Sequence, residues 1–228
     1  MEHLVRTECK HDSWFEKQCV QGQGIFDRPS FDLLTAIVKR YRPNAKQFVD
    51  VGAHVGSWTM GFLSVFPDAQ VTAIEPCLEN LNQLKRNLDR NVWTQDRKIY
   101  VHHRAVGTTG ETGSRTFRAD GNSGQAHIAP TEQNTGGLLF DADITSLNML
   151  MGDRQVDVLK IDVEGYEYKA LRGASALLAQ HRPVIHLELN GLYERYGDRE
   201  EDIRTYLKFW NYTQVGQFNK DFIFVETA

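Results

Sequence analysis

Two short segments of this chain carry titratable side chains at spacings that suit proton or cation chemistry. Lys160-Ile161-Asp162-Val163-Glu164-Gly165-Tyr166-Glu167 follows an apolar run, and His186-Leu187-Glu188-Leu189-Asn190 ends another. Side chains alternate along a strand, so Lys160 and Asp162 share a face, as do His186, Glu188 and Asn190. Acidic and basic groups at a buried sheet edge are costly unless paired or used. Asp162, Glu164, His186 and Glu188 suit general-base removal of a proton. They also suit a hard divalent ion, Mg²⁺ or Mn²⁺, with Asp162 and Glu188 as first ligands. A structural hydrogen-bond network is the third reading. His186 is the preferred base because an ordinary imidazole titrates near neutral pH. Asp162 is the alternative, and Lys160 pairs with either carboxylate.

A second set lies upstream. Asp50-Val51-Gly52-Ala53-His54-Val55-Gly56 follows a β-type run and opens a helical one, as a glycine-rich cofactor loop requires. Gly52 lets the chain turn off the strand, and Gly56 permits a close approach. Asp50 is an acceptor at the edge where such sheets bind ligands. The spacing is G-x-x-x-G, not the G-x-G-x-x-G that cradles a pyrophosphate. That favours a cofactor with a nucleoside and an amino-acid group over a dinucleotide. The next β-type run ends in Ile74-Glu75-Pro76, where a carboxylate can accept from both ribose hydroxyls. The competing reading of Glu75 is a residue favoured only by a helix macrodipole.

These groups need a scaffold, and the hydrophobic periodicity supplies one. Strands are expected at Gln47–Val51, Gln70–Ile74, Ile99–His103 (continuing into Ala105-Val106), Asp157–Ile161 and Val184–Leu189. Helices are expected at Phe31–Tyr41, Ser57–Phe66, Leu78–Leu88, Ala170–Leu178 and Glu201–Trp210. Tyr212–Val215 and Phe222–Val225, joined through Gly216–Lys220, read as an antiparallel hairpin. From Gly107 to about Gly137 periodicity disappears, so an irregular insertion over about 107–140 is expected, a candidate substrate lid. Residues 1–30 read as a lead-in, and 31–228 as one α/β domain: an open, mostly parallel sheet with helices on both faces.

Composition narrows the partners. Twenty-six Lys and Arg against thirty Asp and Glu leave a net charge of −4, which argues against nucleic acid and anionic membrane. Three cysteines at irregular spacing make neither a disulfide framework nor a zinc pattern, and fit free thiols in a reducing compartment. The first residues lack the apolar run of a signal peptide, and no stretch approaches the roughly eighteen apolar residues of a membrane span. A cytoplasmic protein is expected.

FVDVGAHVGSWT, AIEP and KIDVEGYE together resemble the FkbM-type family of S-adenosylmethionine-dependent methyltransferases, from about Asp27 to the C-terminus. The resemblance implies a class I methyltransferase (Rossmann-like) fold with a seven-stranded sheet ending in a reversed hairpin. It implies O-methylation of a small-molecule hydroxyl acceptor, carbohydrate-containing or natural-product-like. It places Asp50, Gly52 and Gly56 at the methionine end of the cofactor and Glu75 on its ribose, with His103 to Ala105 bordering adenine. Ala53, His54, Ser57, Pro76 and Asp162 complete the expected cofactor edge. Asn122, Glu164 and Asn190 are the expected acceptor contacts, Asn122 within a Gly121–Gly124 segment similar to the family's hairpin. The family usually has Asn where this chain has His54. A sugar hydroxyl is a poor acid, so a base in contact or a metal must help remove its proton. Two rivals stand beside this reading: RNA ribose O-methylation on the same fold, and a non-catalytic nucleoside-binding module.

Overall fold

The computed structural model describes residues 4–10, 12–119, 125–129 and 138–227. Its centre is a seven-stranded sheet. In chain order its strands are β1 (Gln47–Val51), β2 (Gln70–Ile74), β3 (Lys98–His102), β8 (Val158–Ile161), β9 (Val184–Glu188), β10 (Tyr212–Phe218) and β11 (Asp221–Glu226). The spatial order is β10-β11-β9-β8-β1-β2-β3. β11 runs antiparallel to both its neighbours, and the other pairings are parallel. β1 and β8 are buried at every residue, which is why they lack polar alternation.

Helices cover both faces. α2 (Arg28–Tyr41) and α3 (Ser57–Val65) pack Phe31, Leu34 and Phe62 onto Phe48, Val71 and Val158. α5 (Leu147–Met151), α6 (Glu167–Arg172), α7 (Ser175–Gln180) and α8 (Glu200–Phe209) pack Leu147, Leu171, Leu177 and Ile203 on the other face, over Leu159 and Ile185. α4 (Leu78–Arg90) seats Leu84 against Ala53 and Ala73. Among the described residues, no helix is long and apolar enough to cross a membrane.

Four expectations change, the first being the helix expected over Ala170–Leu178, which is two helices, α6 and α7, parted at Gly173-Ala174. Within the stretch read as irregular, the described residues carry strands of a second, four-stranded sheet, ordered β4-β7-β5-β6. It comprises β4 (Ala105–Val106), β5 (Ser114–Ala119), β6 (His127–Ile128) and β7 (Leu138–Thr145). Its apolar side carries Phe117, Phe140, Ala142 and Ile144, packed with Ala105 and Tyr166, while outward polar pairs such as Thr116–Asp141 hide the pattern. Ala105-Val106 therefore does not extend β3; it pairs with Ile144 and Thr145. In the terminal hairpin Gly216 lies inside β10 at a bulge, and only Asn219-Lys220 form the turn.

The lead-in is ordered by polar clamps. α1 (Ser13–Gln21) is capped by Asp12, whose Oδ1 accepts from Phe15 N–H at 2.9 Å. Upstream, Asn91 exchanges hydrogen bonds with the backbone of Arg6 (2.9 and 2.8 Å), and Asn87 does the same with Glu8 (3.2 and 2.9 Å). Both asparagines are buried, so these bonds fasten the segment along α4.

Candidate active site

A cavity of about 340 Å³ opens at the carboxyl ends of β1, β2, β8 and β9. That is where ligands bind in open α/β sheets, and the size suits a cofactor. Gly52 has φ +77°, and a Cβ there would lie 1.8 Å from the Asp162 carbonyl oxygen. Only glycine lets the loops after β1 and β8 stack this closely. His54 also sits at positive φ, 51°, which aims its N–H at Glu75 Oε2, 2.9 Å away.

Glu75 lines the cavity yet is only 4% exposed. Its Oε1 accepts from Cys77 N–H at 2.9 Å and from Asn80 Nδ2 at 3.2 Å. Burial pushes its carboxyl up to about 7, against the pull of those donors. A carboxylate has about four acceptor positions, so three protein donors fix it and one remains for a ligand hydroxyl. Gly52, Ala53, His54, Ser57, Pro76 and Ala105 line the same end. This donor and acceptor set fits an adenosyl group with an amino-acid tail.

Lys160 joins the two loops. Its Nζ donates to Gly52 O at 3.0 Å and lies 3.3 Å from Asp50 Oδ1 and 3.4 Å from Asp162 Oδ2. Burial opposes its charge, but Asp162 and Asp50 outweigh that and hold the ammonium above the ordinary lysine value. Beyond it, Asp162, Glu164 and Glu188 bring carboxylate oxygens within 4.8 Å of one another. Burial first, then Asp162, pushes Glu164 up to about 8 and Glu188 up to about 10. Asn190 Nδ2 donates to Glu188 Oε2 at 2.8 Å.

A model of the methyltransferase FkbM domain matches residues 50–213. The chain belongs to the FkbM methyltransferase family. Solved structures share the fold. A methyltransferase FkbM from Methylobacillus flagellatus KT superposes with a TM-score of 0.58 at 18% identity over 96% of this chain, which spans 56% of that protein's length. A putative caffeoyl-CoA O-methyltransferase from Staphylococcus aureus gives 0.54 at 14% identity over 96% of this chain and 93% of its own. The O-methyltransferase TomG from Streptomyces achromogenes, in complex with SAM, gives 0.54 at 11% identity over 98% and 93%. No curated protein is significantly similar in sequence.

Within this FkbM domain four expected site residues do not line the cavity. Asp50 is fully buried, accepting from Thr59 Oγ1 at 2.7 Å and facing Lys160. Gly56, φ +84°, packs on Leu84 rather than on the cavity. The His103 ring meets Pro76 O at 2.9 Å, outside the lining. His186, the preferred base, is 1% exposed. Its Nε2 lies 3.2 Å from Asp221 Oδ1 and 3.3 Å from Ser30 Oγ, and its ring packs on Trp58 at 4.7 Å. It shares a face with Glu188, but two residues back along the strand is about 7 Å deeper. Lys160, Asp162, Glu164, Glu188 and Asn190 do line the cavity. Asn122 lies outside the described residues.

The sequence reading passed over the aromatic walls. Phe117 and Tyr166 line one side, Tyr166 donating to Glu111 Oε1 at 3.0 Å. Trp14, Phe15, Phe26 and Trp58 line another. Trp58 packs on Phe31 in the core and borders the cavity as well.

Proposed function

We propose that this chain transfers a methyl group from S-adenosylmethionine to a hydroxyl of a small, carbohydrate-containing or natural-product acceptor. The observation that supports it best is Glu75, a buried carboxylate held by three donors with one acceptor position left at the cavity. When bound, S-adenosylmethionine supplies a methyl group on a sulfonium leaving group. The protein's tasks are then alignment and removal of one proton. Glu75 orients a ribose. The Gly52 loop, pinned to Lys160, sets the depth of the amino-acid end.

Asp162 is the base in this reading. It lines the cavity, its side chain is 34% exposed, and Lys160 stands beside it. Glu164 and Glu188, pushed up to about 8 and about 10, hold their protons at neutral pH and are poor bases there. His186 is buried against Trp58 and does not line the cavity. The close approach of three carboxylates favours a second reading, a divalent ion on Asp162, Glu164 and Glu188.

Calorimetric titration with S-adenosylmethionine and S-adenosylhomocysteine tests the cofactor reading; no heat at millimolar ligand removes it. Methyl transfer that survives EDTA keeps Asp162 as a simple base. Transfer lost in EDTA and restored by Mg²⁺ selects the metal.

A further inference from the structure

We infer that Trp14, on the N-terminal segment, is the stacking platform for a pyranose ring of the acceptor. The inference rests on the methyltransferase reading and assigns it a specificity-determining residue outside the matched domain, which begins at residue 50.

Four linked aromatic residues line one side of the cavity. Trp58, 6% exposed, is the inner one, with Lys160 Nζ 5.7 Å from its ring centroid and Asp162 next to that lysine. Its indole N–H donates to Phe26 O at 2.8 Å, which ties the N-terminal segment, an aromatic strap over the cavity, to α3. Phe26 stacks on Phe15 at 4.4 Å with an 11° angle between planes. Trp14 meets Phe26 edge-on at 5.8 Å. Trp14 lines the cavity and is nevertheless 59% exposed, unlike Phe15 and Trp58. A large indole so exposed contributes little to the core. Its placement is otherwise well determined: Asp12 caps the first turn of its helix, and Phe15 packs on the His54 ring at 4.4 Å.

The chemistry selects a ring with an apolar C–H face and hydroxyl edges. The face of an indole is the negative side of its quadrupole and attracts the weakly positive C–H bonds of a pyranose. Asp12, at the start of the same helix, lines the cavity and supplies acceptors for hydroxyl edges. Trp14 and Asp162 both line the one cavity, joined through Phe26, Trp58 and Lys160.

The test uses the full chain saturated with S-adenosylhomocysteine and a panel of methyl pyranosides: glucoside, galactoside, mannoside, rhamnoside and fucoside. Saturation-transfer NMR reads which sugar protons touch protein, and titration reads Kd. At least one pyranoside should bind through its ring C–H protons. Trp14→Ala should weaken it roughly threefold to tenfold, with Trp14→Tyr retaining most affinity. Because Trp14 is exposed, both variants should keep the wild-type Tm and S-adenosylhomocysteine affinity. Three outcomes overturn the inference: no pyranoside binding, pyranoside binding indifferent to Trp14→Ala, or flat aromatic alcohols binding in place of pyranosides. A Trp14→Ala loss of S-adenosylhomocysteine affinity also overturns it, by making Trp14 a cofactor cover. Wild-type protein that fails to bind S-adenosylhomocysteine removes the methyltransferase reading itself, a separate result.

Discussion

Glu75→Gln is the sharpest test of the cofactor site because it keeps the shape and removes the charge. Glu75 has about four acceptor positions. His54 N–H, Cys77 N–H and Asn80 Nδ2 occupy three, at 2.9, 2.9 and 3.2 Å. A glutamine keeps one acceptor oxygen and turns an NH₂ group toward either His54 N–H or Cys77 N–H. One buried donor is then opposed by another donor, which costs about 1–3 kcal/mol of folding stability. The ribose loses one charge-assisted bond of about 1.5–3 kcal/mol, so Kd for S-adenosylhomocysteine should rise roughly tenfold to a hundredfold.

A thermodynamic cycle separates the two effects. The 2′,3′-dideoxy analogue of S-adenosylhomocysteine has no ribose hydroxyls, so Glu75→Gln should change its Kd by less than threefold. pH gives a second handle. Burial places the ligand-free Glu75 carboxyl at about 7, and a proton there competes with the ligand. Affinity should therefore fall as pH drops below about 7, levelling off after roughly the same tenfold to hundredfold loss, and Glu75→Gln should abolish that dependence. A Glu75→Gln protein that binds S-adenosylhomocysteine within threefold of wild type, or loses equal affinity for the dideoxy analogue, would refute the ribose assignment.

Other consequences are open to direct measurement. Lys160→Met leaves Asp50 buried with no cation, and should lower folding stability by about 3–5 kcal/mol in urea denaturation; adding Asp50→Asn should recover most of it. Gly52→Ala combines a left-handed backbone with a Cβ 1.8 Å from Asp162 O, so it should abolish S-adenosylhomocysteine binding in calorimetry and lower Tm. Glu164 and Glu188 have folded-state values above the ordinary carboxyl value of 4.5. Their contribution to stability is full below about 4.5 and is lost as pH rises through the folded values, so the ligand-free Tm should fall from pH 5 to pH 8. Glu164→Gln with Glu188→Gln should flatten that slope.

The placement of Gly52 and Glu75 side by side at the cavity was legible because each signal has a short-range cause. A strand of five residues, a glycine at the turn and a carboxylate one βα unit later fix Gly52 and Glu75 on neighbouring strands, and β1 and β2 pair Val51 with Ile74. The base was harder to place. Alternation put His186 and Glu188 on one face, but could not say that Trp58 and Ser30 would close over the deeper residue. The second sheet escaped because β5 and β7 pair across a long connection and carry polar residues such as Thr116 and Asp141 on the outward side. The aromatic strap escaped for another reason. Trp14, Phe15 and Phe26 share no helical or strand period and meet only through tertiary packing.

Lys160 explains why the two halves of the cavity stay in register. The cofactor loop and the acidic loop come from β1 and β8, whose backbone pairing ends at Val51 and Ile161. Past that point two contacts continue the alignment. One is steric, the absent side chain of Gly52 over the Asp162 carbonyl. The other is the ammonium, bonded to Gly52 O and flanked by Asp50 and Asp162. A neutral residue at 160 offsets the charge of neither carboxylate. A single buried lysine thus makes the distance from the glycine turn to the Asp162 carboxylate a property of the sheet rather than of a mobile loop. The proposed in-line methyl transfer would depend on that distance, because about 1 Å of misplacement can cost a hundredfold in rate.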